Sequence, residues 1–153
     1  MVKYDVNIIA RHLGELSNAL NLLHDLKSRD LEEFKHDQHL VGSAKYHLIV
    51  AIESTIDICN HIISKSGFRL PENYSDSFRV LAENNILPTE MVEEKLVVMA
   101  RFRNRLVHVY WEIDLDQLFQ ILQENLIDLE HFQNEVKRYL RDENHNSAPQ
   151  PDS

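Results

Sequence analysis

Apolar residues recur at helical spacing along most of the chain and predict three long helices with shorter ones between them. The first long helix is predicted from Val6 to about Lys27, because Asp5 is a good N-cap residue and Tyr4 before it can pack as a hydrophobic staple. Its apolar stripe consists of Ile9, Leu13, Leu16, Leu20 and Leu23. One apolar face on each helix favours a helical bundle.

The second long helix is predicted from Gln38 to Ser64, after a short helix from Leu31 to His36. Gly67 follows as a stop signal, since glycine readily adopts the left-handed conformation that ends helices. The core positions of this helix are Val41, Ala44, Leu48, Ile52, Ile56, Cys59 and Ile63.

Two shorter helices are predicted in the middle of the chain. A loop over residues 67–75 leads to Ser75, which is expected to cap a helix ending near Glu83. Thr89 is expected to cap the next helix, which continues into an arginine-rich run. The apolar positions of that helix are Val92, Leu96, Met99, Phe102 and Leu106.

The last long helix is predicted to begin after Asp114, with Gln117 in a capping-box arrangement, and to end near Arg141. Its stripe consists of Leu115, Leu118, Leu122, Leu126, Leu129, Phe132, Val136 and Leu140. Residues 142–153 have nothing to bury and are predicted to form a disordered tail. The chain is therefore expected to be all-α, an antiparallel helical bundle over residues 1–141 followed by that tail.

Composition and charge narrow the class of protein. With 153 residues the chain has the size of one domain, and only three glycines suit long helices rather than a β-rich fold. The single cysteine, Cys59, cannot form an internal disulfide, and the chain has neither a secretory leader nor a run of about 18 apolar residues. A cytoplasmic protein that does not span a membrane is expected. The formal net charge of −9 argues against diffuse binding of nucleic acid.

The run from Arg101 to Tyr110 is cationic although the chain as a whole is acidic. Its sequence is Arg-Phe-Arg-Asn-Arg-Leu-Val-His-Val-Tyr, with no carboxylate in it, and Trp111 follows directly. Concentrated positive charge on an acidic protein indicates a bound anion, and phosphate is the simplest candidate.

The side chains of this run are those needed to cleave RNA without a metal ion. His108 can take and give protons near neutral pH, and an arginine fork can stabilise the charge on a five-coordinate phosphorus. Asn104 can orient a hydroxyl or phosphoryl oxygen. No ring of carboxylates is nearby in the sequence to hold magnesium, which favours chemistry with no cofactor.

Helical geometry divides the run between faces. Asn104 and His108 share one face, with Arg101 and Arg105 close to it as possible RNA contacts. Arg103 lies about 140° from His108 on an ideal helix, so the two do not converge within one regular helix. Either the helix distorts or ends near His108, or a second copy completes the site. Because cleavage usually needs two proton-transfer groups, the second copy is favoured.

Each of these residues also has a purely structural interpretation. Arginines at a helix end complement the helix dipole, which accounts for one or two of the three. His108 could be a packed or capping histidine, and Tyr110 and Trp111 could be core or interface aromatics.

Glu53, Asp57 and His61 form a polar line on the second long helix. Asp57 and His61 have the spacing to share a metal ion, but one helix supplies too few ligands, and a solvated or hydrogen-bonded face is favoured. A third interpretation has this face near the active groove, where it positions neighbouring residues.

Arg103 to Tyr110 resembles the Arg-x4-His-x-Tyr signature of HepT toxins in the HEPN superfamily of helical ribonucleases. The segments 51–63, 71–76 and 111–132 also resemble that family, so the likeness covers about residues 4 to 140. The resemblance implies a homodimeric ribonuclease toxin with catalytic Arg103 and His108, Asn104 being the polar residue that follows the arginine. It also implies an antitoxin partner, an MntA-type nucleotidyltransferase that transfers AMP from ATP onto Tyr110.

A second function is consistent with the same residues. In that alternative the protein is a non-catalytic helical dimer that binds nucleotide or RNA as the adaptor subunit of a nucleotidyltransferase. The ends of the RNA product discriminate between the two, since only an enzyme of this kind leaves a 2′,3′-cyclic phosphate.

Overall fold

The computed structural model describes residues 4–147, most of which are helical. Its helices are α1 (Val6–Lys27), α2 (Leu31–His36), α3 (Gln38–Ser66), α4 (Tyr74–Glu83), α5 (Thr89–Met91), α6 (Val97–His108), α7 (Leu115–Glu124) and α8 (Leu126–Ser147). No residue in this range lies in a strand, so the predicted all-α fold is confirmed. None of these helices is long and apolar enough to cross a membrane.

Helices α1 and α3 form an antiparallel pair at the centre of the bundle. Asp5 caps α1 as predicted, because its Oδ1 accepts a hydrogen bond from the backbone N–H of Asn7 at 2.9 Å, and Tyr4 is buried beside it. The backbone N–H of Asp5 also donates to His61 Nε2 at 2.8 Å, which joins the start of α1 to the end of α3. Gly67 ends α3 with a φ of 68°, as predicted.

Helix α4 is held in place by a network of charges. Arg69 Nη1 donates to Asp76 Oδ2 at 2.7 Å, and its Nη2 donates to Glu83 Oε1 at 2.7 Å. The hydrogen-bonded Arg69 guanidinium lowers the pKa of Asp76 to about 2. The predicted cap at Ser75 is wrong: Asn73 is the N-cap, and its Oδ1 accepts from the backbone N–H of Asp76 at 2.8 Å. Both residue types can cap, and the chain turns into the helix before it reaches Ser75.

The helix that carries the arginine-rich run is continuous but irregular. Thr89 is its first residue rather than its N-cap; Pro88 occupies the cap position and makes no side-chain capping bond. Proline has no side-chain oxygen with which to cap, and its extended ψ of 132° places it just before the first helical turn. The residues Val92–Leu96 form a π-helical turn between α5 and α6 that periodicity does not reveal. The five predicted core positions of this segment are buried.

The last predicted helix is two helices. Asp114 caps α7 as predicted and accepts from the backbone N–H of Gln117 at 3.1 Å, but the chain breaks at Asn125 before α8 begins. Leucines continue at helical spacing through the break because both helices face the same core, so their pattern hides it. Helix α8 also continues past Arg141 to Ser147, since a helix can propagate without burial. The rest of the predicted tail, residues 148–153, lies outside the described range.

Candidate active site

Helix α6 ends within the arginine-rich run. Val109 leaves the helix with φ of −132° and ψ of 43°, and its backbone N–H donates to the Arg105 carbonyl at 2.9 Å. A 3₁₀ turn over Tyr110–Glu112 follows. His108 is therefore the last helical residue, while Tyr110 lies on the turn beyond it.

A cleft of about 460 Å³, here called the Arg103 cleft, lies beside the end of α6. It is lined by Asn73, Tyr74, Arg103, Asn104, Val107 and His108. Arg103 and His108 stand at the two edges of this face, with Asn104 and Val107 between them. Both line the same cleft of one chain, and α6 ends at His108, which was one of the two alternatives; completion of the site by a second copy stays a prediction.

Arg103 is held on three sides. Its Nε and Nη2 donate to Glu53 Oε1 at 3.1 and 2.5 Å, and its Nη1 donates to Asn104 Oδ1 at 3.1 Å. The guanidinium carbon lies 4.8 Å from the centre of the Tyr74 ring. The Arg103 side chain is 12% exposed, so its fork is fixed in position at the cleft before any ligand binds.

His108 differs from Arg103 in having no fixed partner. The residue is exposed, and among the described residues none forms a hydrogen bond or ion pair with its imidazole. A packed or capping histidine is therefore not what the structure contains. The ring borders the cleft in a position from which it can exchange protons with a ligand.

One residue of the polar line on α3, Glu53, contacts a residue of the Arg103 cleft. Glu53 pairs with Arg103, which supports the interpretation that this face positions a neighbour. His61 instead accepts from the Asp5 backbone, and burial together with the Lys65 charge lowers its pKa. In residues 4–147 no group of three metal-ligating side chains comes together, here or elsewhere.

Arg101 and Arg105 lie on a different face of α6. Both line a groove of about 340 Å³ between α6 and α7, and Arg105 Nη1 donates to Gln117 Oε1 at 3.4 Å. These arginines were predicted to lie close to the face shared by Asn104 and His108. On α6 they lie next to His108, on the side away from Arg103. A role for them in binding RNA stays a prediction.

Tyr110 and Trp111 are surface residues rather than core aromatics, with 40% and 75% exposure. They line a second cavity of about 460 Å³, here called the Tyr110 pocket. Its other lining residues are Lys35, Gln38, Val41, Gly42, Lys45, Ile113 and Leu115. The Tyr110 pocket and the Arg103 cleft have no lining residue in common, although Tyr110 follows His108 by only two residues.

Two residues of these sites were missed from the sequence. Tyr74, within the predicted loop over residues 67–75, lies against the Arg103 guanidinium, and nothing in the sequence pattern indicated this contact. Lys45 follows the core residue Ala44 on α3, and its Nζ donates to the Tyr110 carbonyl at 2.8 Å. A lysine next to the apolar stripe of α3 is the one local signal that could have indicated it.

Comparison with known proteins gives one family. A family model described as Ribonuclease HepT-like matches residues 16–136. The mRNA nuclease HepT of Shewanella oneidensis is 36% identical over 108 residues, covering 71% of this chain and 80% of that protein. The tRNA nuclease HepT of Aphanizomenon flos-aquae is 26% identical over 142 residues, covering 92% of this chain and 95% of that protein.

Solved structures give the same result. The tri-AMPylated Shewanella oneidensis HEPN toxin in complex with MNT antitoxin matches with a TM-score of 0.80 at 30% identity, over 88% of this chain and 99% of that one. The Bacillus subtilis cytosolic protein YutE, of unknown function, matches with a TM-score of 0.81 over 99% of both chains. Its 20% identity supports the fold alone.

Proposed function

The chain belongs to the HepT-like ribonuclease family, and we propose that it is the metal-independent endoribonuclease toxin of a toxin–antitoxin pair. Membership of this family makes the protein a ribonuclease, and the roles of its individual site residues are what we propose. The observation that carries it is the Arg103 cleft, which is lined by one fixed guanidinium and by an exposed imidazole that has no partner within residues 4–147. We place its action in the cytoplasm, where cellular RNA is found.

In the proposed reaction, the 2′-oxygen of a ribose attacks the adjacent phosphorus and the bond to the 5′-oxygen breaks. His108 accepts the 2′-hydroxyl proton or donates one to the leaving 5′-oxygen. Arg103 stabilises the charge on the five-coordinate phosphorus, and the amide of Asn104 orients a phosphoryl oxygen. The products are a 2′,3′-cyclic phosphate and a free 5′-hydroxyl, with no metal ion required.

Glu53 has a supporting part in this scheme. Its carboxylate holds the Arg103 fork through Nε and Nη2, which fixes the orientation of the guanidinium. A guanidinium fixed in advance need not reorganise when charge develops on the phosphorus.

A homodimer would supply the second proton-transfer group that one chain lacks. Each chain offers a single histidine at the cleft, while the reaction needs a base and an acid. The cleft also carries exposed apolar surface, with Tyr74 at 44% and Val107 at 40% exposure. We therefore propose that two clefts face each other across a two-fold axis, and sedimentation at a monomer mass would contradict this.

The partner antitoxin is proposed from the solved relatives. A Shewanella HEPN toxin is AMPylated in complex with MNT antitoxin, and a related toxin–antitoxin structure holds AMP-PNP. Tyr110 is the proposed acceptor in this chain because its ring is 40% exposed on the turn after His108. AMP at that position adds negative charge and bulk near the approach of an RNA phosphate. Arg101 and Arg105 are proposed to guide the RNA strand along the adjacent groove.

The test is RNA cleavage by the purified protein in excess EDTA, with the product ends identified by mass. Wild type is expected to leave cyclic phosphates, and His108→Ala is expected to lose about 100-fold or more in rate. His39→Ala, at another exposed histidine, is the matched control and should keep full activity. Unchanged cutting by His108→Ala would remove this residue from the mechanism, and RNA that is bound but intact would favour the adaptor alternative.

A further inference from the structure

Lys45 carries a positive charge that is buried and is not paired with a negative charge among the described residues. The residue is 7% exposed, and its ammonium group contacts the Tyr110 carbonyl at 2.8 Å and the centre of the Tyr110 ring at 4.1 Å. Among the side chains described, no carboxylate forms an ion pair with it. Burial accordingly lowers the pKa of Lys45. Burying a charge is costly unless it is paired, and a carbonyl with a ring face offsets only part of that cost.

The Tyr110 pocket lies open beside this ammonium. The Tyr110 hydroxyl lies over α3, 3.9 Å from the point where a Cβ on Gly42 would be, so the absence of a side chain leaves space around the phenol. A second lysine, Lys35, lines the same pocket, but its Nζ already pairs with Asp116 at 3.1 Å. Lys45 is therefore the cation of this pocket that lacks a counter-charge.

We propose that the Tyr110 pocket binds the AMP group carried by Tyr110, with Lys45 pairing its phosphodiester and the exposed Trp111 indole stacking on its adenine. This inference rests on the proposed function, since it assigns the binding residues for the modification named there. A phosphodiester keeps one negative charge and matches one unpaired ammonium group. Every base has a flat face that an exposed indole can stack on.

The transfer step itself is balanced with ATP as the donor. The Tyr110 phenol oxygen forms a bond to the α-phosphorus, and the bond from that phosphorus to the oxygen bridging to the β-phosphorus breaks. Pyrophosphate leaves and the phenol proton passes to water. In the product, the phosphodiester provides a negative charge beside the Tyr110 ring, and the Lys45 ammonium pairs with it.

The inference predicts a stability gain on modification that depends on Lys45. Four species are compared by thermal unfolding: wild type and Lys45→Gln, each before and after reaction with the antitoxin and ATP. Wild type is expected to gain about 3 °C in Tm, because a buried charge acquires a partner. Lys45→Gln keeps a donor for the Tyr110 carbonyl without the charge, and should gain less than about 1 °C. If Lys45→Gln does not fold, Lys45→Met replaces it in this comparison.

The matched control is Lys35→Gln, which should gain as much as wild type because Lys35 is already neutralised. Intrinsic fluorescence gives a second measurement, since Trp111 is the only tryptophan in the chain and stacking of adenine should quench it. An equal Tm gain in wild type and Lys45→Gln would overturn the role of Lys45. Absence of any added mass on Tyr110 of wild type would instead overturn the proposed modification, and this inference with it.

Discussion

The two cavities at the end of α6 are each lined by one mostly buried cation, but the groups around the two positive charges differ. In the Arg103 cleft, the guanidinium is paired with Glu53 and held by Asn104 and Tyr74. In the Tyr110 pocket, the Lys45 ammonium contacts a carbonyl and a ring face, and no carboxylate pairs with it in the part of the chain that the structure describes. A cation locked by a carboxylate suits a group that must stay oriented through a reaction, whereas one without a counter-charge suits a group that accepts a lasting anion.

Loss of the Arg103 fork should have the largest effect. Arg103→Lys keeps the charge but cannot contact Glu53, Asn104 and a phosphate together, so the rate of RNA cleavage should fall by about 100-fold. Arg141→Lys, at an exposed arginine on α8 that lines neither cavity, is the control and should keep the wild-type rate. The comparison is made by initial rates on one RNA oligonucleotide, and equal losses in the two variants would contradict the distinction drawn between these arginines.

Loss of the network on α4 should weaken the wall of the cleft without touching the Tyr110 pocket. Asp76→Asn removes the charge that pairs with Arg69, and should lower the free energy of unfolding by about 2 kcal/mol at neutral pH. Urea unfolding measures this change.

The effect of Asp76 should also depend on pH with a definite sign. Its pKa is about 2 in the folded protein against a usual 3.8, so the stabilisation is present above pH 3.8 and is lost as pH falls towards 2. The difference between wild type and Asp76→Asn should shrink over that interval. A difference that stays constant there would show that the carboxylate charge is not its cause.

Removal of the Glu53 charge should have a smaller effect on catalysis than loss of Arg103 itself. Glu53→Gln can still accept a hydrogen bond from Arg103 but holds it less firmly, so kcat should fall by about tenfold through misorientation. KM for RNA should stay level or fall, because a negative charge near the phosphate site is gone. A rise in KM with unchanged kcat would place Glu53 in substrate binding instead.

The smallest effect is expected at Gly42, on the wall of the Tyr110 pocket. Gly42→Ala should raise the free energy of unfolding by about 0.5–1 kcal/mol, because alanine favours the helix and its Cβ would lie an acceptable 3.9 Å from the Tyr110 hydroxyl. Gly14→Ala on α1, with nothing within 4 Å, is the control and should gain about as much. A loss of stability at Gly42 alone would indicate that the phenol lies closer to α3.

Local patterns predicted the helices better than their ends. Asp5, Gly67 and Asp114 were identified correctly because each stands at a clear change between polar and apolar runs. Ser75 and Thr89 were wrong as caps because a capping residue or a proline just before them starts the helix first. The break at Asn125 was missed because the leucine spacing continues across it.

The amino-acid sequence by itself determined that the chain is helical and that Arg103, Asn104, His108 and Tyr110 fall in one short run near a helix end. Those are local properties, set by residue spacing of a few positions. Tertiary structure alone decided that Glu53 holds Arg103 and that Lys45 lies over Tyr110, contacts between residues 50 and 65 positions apart. Periodicity tells which face of a helix is apolar, but only packing of α3 against α6 decides which polar side chains meet across it.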